Sequence, residues 1–118
     1  MQDFEHGALK ITIGESSGTA RLAWSGKSED REPGALLTPY LQDAVREFQG
    51  KPFEVDFTKL EYMNSSTVPP IIHFIKDLES SGSKTTIFYD KDSKWQAASF
   101  KALETISTTM KHITVQGA

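Results

Sequence analysis

The residues of this chain whose types could do chemistry are grouped in one polar run, Asn64-Ser65-Ser66-Thr67, which Pro69-Pro70 follows almost at once. Two successive prolines fit only in the first turn of a helix, where backbone N–H groups have no intrahelical partner. A helix is therefore predicted to begin near Ser66, with the polar run at the carboxyl end of a strand. That edge of an α/β sheet commonly binds ligands or partners, although Ser, Thr and Asn at a helix start are also ordinary N-caps.

A serine hydroxyl becomes a nucleophile when a base lies beside it. The three histidines, His6, His73 and His112, are far apart and have no local carboxylate pattern. His73 falls on the polar side of its predicted helix, which implies no base–nucleophile geometry toward Ser65. The chain also has no cysteine, so thiolate catalysis and cysteine-bound metals are excluded. The sequence predicts no catalytic residue, no metal site, no cofactor and no enzyme activity.

Asp56 offers a second kind of chemistry, because it falls near the end of a predicted strand, as the phosphoacceptor of a response-regulator receiver does. A receiver also needs an acidic pair after its first strand to hold Mg²⁺. The turn Gly14-Glu15-Ser16 supplies only one carboxylate. Asp56 is instead predicted to order the turn that follows it by accepting backbone N–H bonds.

The composition limits the classes of protein to which the chain can belong. Its 118 residues, 37% of them hydrophobic and 25% charged, predict a single folded domain spanning residues 1–118. A net charge of −3 with no basic run argues against nucleic acid as a partner. The beginning of the chain lacks the pattern of a signal peptide, and no apolar stretch could span a bilayer, so a cytoplasmic protein without membrane insertion is expected.

The elements that would position the polar run follow from hydrophobic periodicity. Alternation predicts strands at 8–13, 19–24, 53–57, 85–89 and 113–115, of which the first two form a hairpin around the turn at 14–18. Thr38 is predicted to cap a first helix that begins at Pro39 and stops at Gly50. A solvated loop is expected at 27–34. The second helix is predicted to end at Ser80-Ser81-Gly82, and the apolar face of a third helix extends from Trp95 to Ile106.

Helical spacing also predicts which side chains face the sheet. Phe74 and Phe100 lie near the edges of their apolar stripes, where a core margin and a partner surface are equally plausible. The predicted core-facing residues are Leu41, Ala44, Val45 and Phe48 in the first helix; Val68, Ile71, Ile72, Ile75 and Leu78 in the second; and Trp95, Ser99, Ala102, Leu103 and Ile106 in the third.

The predicted order is β-β-α-β-α-β-α-β. This order predicts an α/β fold: a mixed β-sheet with a largely parallel centre, an opening β-hairpin, and helices following the second, third and fourth predicted strands through right-handed crossovers.

Residues 53–66, Phe-Glu-Val-Asp-Phe-Thr-Lys-Leu-Glu-Tyr-Met-Asn-Ser-Ser, resemble a strand and turn of the STAS domain (sulfate transporter and anti-sigma factor antagonist). The resemblance is to the small bacterial anti-anti-sigma factors. Asn64 stands where the family has Asp, and a related group of regulatory phosphoproteins that control a diguanylate cyclase has Asn followed by hydroxyl residues here. Residues 89–100 are similar to a subgroup of uncharacterised STAS-like regulators. Of the family's Gly-x-Leu-Asp motif after the second strand, Gly26 is present.

The resemblance implies a STAS-like fold and a phosphorylation-controlled, protein-binding regulator. The family's phosphorylated serine falls on Ser65, and Ser66 and Thr67 are less favoured acceptors. A serine kinase of the anti-sigma type would phosphorylate Ser65 and a PP2C-type phosphatase would reverse it, and the unmodified protein would bind the kinase or a similar anti-sigma-type partner. The loop after Gly26 could contribute to the contact surface. The predicted partner-binding residues are Asn64, Ser65, Ser66, Thr67 and Pro69.

An alternative from another functional class stays open. Asn64 and Ser65 could only cap the helix, in which case the domain would be a constitutive, non-phosphorylated adaptor. Such an adaptor would dock on an effector enzyme, for example a diguanylate cyclase, or on a membrane protein.

Overall fold

In the computed structural model, which describes residues 1–118, six strands and three α-helices alternate after an opening antiparallel meander. A single 3₁₀ turn, Ser65–Thr67, precedes the second helix. The elements are β1 (Phe4–His6), β2 (Leu9–Ser16), β3 (Thr19–Ser28), α1 (Gly34–Glu47), β4 (Phe53–Met63), α2 (Val68–Ser80), β5 (Thr85–Tyr89), α3 (Lys94–Ser107) and β6 (Ile113–Gly117).

The six strands form one sheet in the order β1-β2-β3-β4-β5-β6. β1, β2 and β3 pair antiparallel, whereas β3, β4, β5 and β6 pair parallel. Each parallel pair is connected by one helix, as the crossover rule requires. The predicted mixed sheet with a largely parallel centre is confirmed, and so is the placement of the helices, which follow β3, β4 and β5 in the structure's numbering.

One face of the sheet and the three helices enclose a single core of 23 buried residues. Burial alternates along β4, where Phe53, Val55 and Phe57 are buried while Glu54 and Asp56 are half-buried. The opposite face of the sheet carries Arg21, which pairs with Glu54 at 3.0 Å and with Asp56 at 2.7 Å. The fold therefore has two layers, and one sheet face remains open to solvent.

The antiparallel part of the sheet is larger than the sequence predicted. β1 was not predicted, because its three residues are too few to show a period; Phe4 pairs with Ile11 of β2. β3 continues to Ser28 and so takes up the first part of the predicted loop. β4 continues to Met63, six residues beyond the predicted end. These extensions bring the ends of β3 and β4 side by side at Ser28 and Met63.

The predicted start of α1 at Thr38-Pro39 is wrong, since the helix begins at Gly34, one turn earlier. Pro39 lies inside the helix and cannot donate the hydrogen bond that Ala35 would otherwise accept. Both residues are exposed, so water can solvate the free carbonyl group. Pro33 is the N-cap and provides no side-chain cap.

The predicted buried face of α3 is rotated from the observed one. Ile106 is 40% exposed, and Trp95 is only partly buried. Phe100 is fully buried, and its ring centroid lies 4.7 Å from that of Phe57 and 5.8 Å from that of Tyr89. In α2, Phe74 is likewise buried. Both Phe74 and Phe100 therefore belong to the core and not to a partner surface. The buried residues of α3 are Gln96, Phe100, Leu103 and Ser107.

Candidate functional site

The polar run lies at the carboxyl end of β4, where the chain leaves the sheet and turns into α2. Asn64 has extended backbone geometry, with φ −78° and ψ 169°, and caps the 3₁₀ turn that follows. Its side-chain oxygen accepts hydrogen bonds from the Thr67 amide at 3.1 Å and the Thr67 hydroxyl at 2.7 Å. Pro69 and Pro70 lie in the first turn of α2, so the predicted reason for the double proline is confirmed.

The turn is also bound to the end of β3. The backbone amide of Asn64 donates to the Ser28 carbonyl at 3.0 Å, and the side-chain nitrogen of Asn64 donates to the Asp30 carbonyl at 2.6 Å. The hydroxyls of Ser28 and Thr67 share a buried hydrogen bond of 2.6 Å. Asn64 thus uses both the nitrogen and the oxygen of its side chain to join the segment after β3 to the start of α2.

The five residues predicted to bind a partner differ in exposure. Ser65, Ser66 and Pro69 are exposed and Asn64 is partly buried. Thr67 is fully buried, and its hydroxyl is held between Ser28 and Asn64. The structure therefore does not place Thr67 where a partner or a kinase would touch it, and its role here is structural. The hydroxyls of Ser65 and Ser66 make no hydrogen bond within the protein.

The segment that follows β3 is held from its other side as well. The Asp30 carboxylate accepts hydrogen bonds from the Glu32 amide at 3.2 Å and from the His6 ring at 2.9 Å. The Glu32 amide and then the His6 contact hold the pKa of Asp30 below its ordinary value. His6 belongs to β1, so the unpredicted first strand supports the segment that contacts Asn64.

Two cavities share the segment after β3 as a wall. The first, which we call the apolar pocket, has a volume of about 300 Å³ and is lined by Phe4, Leu9, Leu36 and Leu37, with the His6–Asp30 pair among its polar residues.

The second cavity, which we call the trench, has a volume of about 390 Å³ and lies between the first turns of α1 and α2. Ser66 and Pro69 line it, and Ser65 does not. Charged and titratable side chains in its wall are Arg31, Glu32 and His73.

No base lies beside the serines. His73 is an exposed residue of α2, and its ring pairs with Asp77, with Nε2 3.4 Å from Oδ2. No hydrogen bond connects His73 to Ser65. The geometry provides no activated nucleophile.

Asp56 lies within β4 rather than at its end, on the open sheet face. Its carboxylate accepts hydrogen bonds from the Thr58 amide at 2.8 Å and the Thr58 hydroxyl at 2.6 Å, in addition to the Arg21 ion pair. Burial raises the pKa of Asp56, but the Thr58 hydrogen bonds and the Arg21 charge outweigh burial and lower it overall. The predicted backbone N–H contact is present at Thr58, but the predicted turn is wrong, because β4 continues past Asp56 to Met63.

The sequence does not predict the role of Gln96, whose side chain orders the last part of β4. Its side-chain nitrogen donates to the carbonyls of Phe57 and Leu60, both at 2.8 Å. Its side-chain oxygen accepts from the Asp90 amide at 2.8 Å. The residue is buried inside α3, and a glutamine in a helix gives no sign of this role; the segment 89–100 was notable only for its resemblance to STAS-like regulators.

No protein-family model and no curated protein matches the chain. Solved structures do. An anti-sigma factor antagonist from Mycobacterium paratuberculosis superposes with a TM-score of 0.63 and 12% identity, covering 90% of this chain and 85% of that one. The chain has a STAS-type fold.

Two further structures share this STAS-type fold. In the complex of the diguanylate cyclase SiaD with its activator SiaC from Pseudomonas aeruginosa, the SiaC chain matches with a TM-score of 0.69 and 20% identity over 98% of each chain. An uncharacterised DUF3478 family protein with a SpoIIAA-like fold, from Shewanella loihica, matches with a TM-score of 0.56 and 14% identity. It covers 96% of this chain and 88% of its own. None of the three helices of the chain is long and apolar enough to cross a membrane.

Proposed function

We propose that this protein is a protein-binding regulator whose partner affinity is controlled by phosphorylation of Ser65. The observation that carries the proposal is the contrast within one turn: Asn64 and Thr67 are held by hydrogen bonds, whereas the Ser65 side chain between them is exposed and unbonded. A kinase can reach such a hydroxyl without unfolding the turn.

Phosphorylation would follow ordinary phosphoryl transfer. The Ser65 oxygen bonds to the γ-phosphorus of ATP, the bond to the departing ADP breaks, and the hydroxyl proton passes to a base on the kinase. By resemblance to the anti-sigma factor antagonists, the kinase is of the anti-sigma type. A PP2C-type phosphatase returns Ser65 to its hydroxyl form by hydrolysis.

The expected consequence for binding follows from charge. A phosphoryl group adds about −1.5 to −2 charge at pH 7, and the nearby start of α2 carries a partial positive charge that tolerates an anion. The fold should therefore survive the modification. A partner packed against Ser65, Ser66 and Pro69 would have to desolvate the phosphate within the interface, so affinity falls.

The test is to incubate the protein with ATP and its cognate serine kinase, to locate the phosphate by mass spectrometry, and to measure partner affinity by calorimetry. We expect a phosphate on Ser65 that is absent in Ser65→Ala and present in the matched control Ser66→Ala. Phosphorylation should weaken partner binding. No phosphate, a phosphate found only elsewhere, or unchanged affinity after phosphorylation would each contradict the proposal.

A second candidate function is a constitutive adaptor that docks on an effector enzyme such as a diguanylate cyclase. It is favoured by the similarity to SiaC, an activator of a diguanylate cyclase, over nearly the whole chain, and by the structural use of Asn64 as a cap. For such an adaptor, Ser65→Asp and Ser65→Ala should bind the effector equally well. For the switch, Ser65→Asp should lose affinity while Ser65→Ala keeps it.

A further inference from the structure

The two exposed serines of the turn face different surroundings. Ser65 is exposed and borders neither the apolar pocket nor the trench, whereas Ser66 lines the trench together with Arg31 and His73. Ser66, Pro69 and His73 follow one another along one side of the start of α2, at spacings of three and four residues. A group added to the Ser66 oxygen would therefore extend into the trench.

The trench contains positive charge that the protein does not neutralise. Arg31 is exposed and takes part in no ion pair or side-chain hydrogen bond. α1, whose first residues Gly34 and Ala35 line the trench, begins without a side-chain cap and without an acidic residue in its first turn. The partial positive charge of that helix start adds to the charge of Arg31.

The opposing charges are few. Glu32 lines the trench, and Asp77 lies beside His73 at 3.4 Å. The exposed carboxylate of Glu32, on the same loop, does not pair with Arg31 in this structure. Arg31 can therefore bind a phosphate dianion through a bidentate contact.

Small residues keep the trench open. A Cβ atom added at Gly34 would stand 3.5 Å from both the Pro70 ring and the Thr38 hydroxyl. The glycine thus leaves room between the starts of α1 and α2, and the Thr38 hydroxyl faces the same space as a further hydrogen-bond donor.

We propose that the trench is the receptor for a phosphoryl group carried by Ser66, with Arg31 and His73 as its side-chain ligands. The inference rests on the proposed function only in taking the turn as a kinase substrate. A phosphate on Ser65 meets solvent and the partner, whereas a phosphate on Ser66 is neutralised within the chain and ties α1 to α2. Its formation is the same transfer from ATP to a serine oxygen, with release of ADP and of the hydroxyl proton to the kinase.

The experiment installs phosphoserine at position 66 or 65 of the full chain by genetic encoding and follows the phosphate by ³¹P NMR as pH is varied. Nearby cations favour the dianion, so the second pKa of the position-66 phosphate should lie roughly half a unit to one unit below that of the position-65 phosphate. Arg31→Gln and His73→Gln should each reduce this difference. Arg46→Gln, an exposed arginine far from the turn, should leave it unchanged.

Equal pKa values for the two phosphates, or a difference that survives both Arg31→Gln and His73→Gln, would overturn the receptor. The encoded phosphate needs no kinase, so the outcome is separate from that of the Ser65 switch. A kinase that ignores Ser65 contradicts the switch and leaves the receptor intact. An unshifted position-66 phosphate contradicts the receptor and leaves the switch intact.

Discussion

The candidate site has two kinds of residue. Asn64 and its hydrogen-bond partners form what we call the frame, whereas Ser65 and Ser66 have free hydroxyls. Asn64 makes four hydrogen bonds to Ser28, Asp30 and Thr67, one through its backbone N–H and three through its side chain. Ser65 and Ser66 make none with their hydroxyls. A regulator that must keep its fold in two modification states benefits from this division, because the modified group is not part of the frame.

Replacing Asn64 tests the frame directly. Asn64→Ala should lower the free energy of unfolding by about 1–2 kcal/mol, since it removes a helix cap and a hydrogen bond to the Asp30 carbonyl. Ser65→Ala, the matched control, should stay within about 0.5 kcal/mol of the parent protein. Urea denaturation would measure both changes, and equal values for the two variants would show that the cap does not stabilise the turn.

The open face of the sheet gives a pH-dependent prediction at Asp56. Its folded-state pKa is lowered from the ordinary value of 3.8. A depressed pKa contributes stability that is present above the unfolded value and is lost as pH falls through the folded one. Asp56→Asn should therefore be less stable than the parent at pH 7, and the difference should shrink below about pH 4.

Urea denaturation of both proteins at pH 7 and at pH 3 would measure this effect. Glu54→Gln is a suitable control, because Glu54 also pairs with Arg21 but has a more exposed side chain and no Thr58 contact. A difference between Asp56→Asn and the parent that is the same at both pH values would rule out the linkage.

Among the elements, α3 combines packing and polar contacts on one face. Phe100 packs against Phe57 and Tyr89, while Gln96, one turn earlier, binds the carbonyls of Phe57 and Leu60. The pairing of β3 with β4 has register irregularities near this point, and Gln96 donates to two carbonyl groups of this irregular stretch. The helix therefore supports the last part of the strand that leads to Asn64.

Two α3 variants distinguish the observed buried face from the predicted one. Phe100→Ala should cost about 3–5 kcal/mol, because it leaves a cavity in the aromatic core. Ile106→Ala should cost less than about 1 kcal/mol, since Ile106 is 40% exposed. Thermal unfolding would measure both, and a larger loss for Ile106→Ala would contradict the observed face.

For the whole molecule, the decisive feature is that β3 joins an antiparallel half of the sheet to a parallel half. Gly26 lies at this junction and pairs with Leu9 of β2 and Leu60 of β4. Its φ of +82° is in the left-handed region, and a Cβ atom there would lie 1.9 Å from the Ala8 carbonyl oxygen. Only glycine fits this approach without displacing the backbone of Ala8, in the turn between β1 and β2.

Gly26→Ala should therefore destabilise the whole fold by at least about 2 kcal/mol, because both the backbone angle and the close approach oppose a side chain. Gly14→Ala is the control, since Gly14 has open space around its Cβ position and no positive φ. Calorimetric melting should show a clear drop for Gly26→Ala alone. Equal melting temperatures would show that the turn at Ala8 adjusts to the added methyl group.

Periodicity in the sequence determined the element order from β2 onward and the mixed sheet, and the double proline determined the start of α2. These features depend on local spacing and on the missing N–H of proline, which each segment carries in itself. Resemblance of residues 53–66 to the STAS domain also predicted the fold that the solved structures share.

Only the tertiary structure decided which polar groups serve as frame and which remain free. Burial of Thr67 depends on a hydroxyl of Ser28, 39 residues away, and the role of Gln96 depends on carbonyls 36 and 39 residues away. The trench exists because α1 begins at Gly34 beside the start of α2. Such long-range contacts leave no periodic pattern in the sequence, since they arise only when the folded sheet brings the ends of β3 and β4 together.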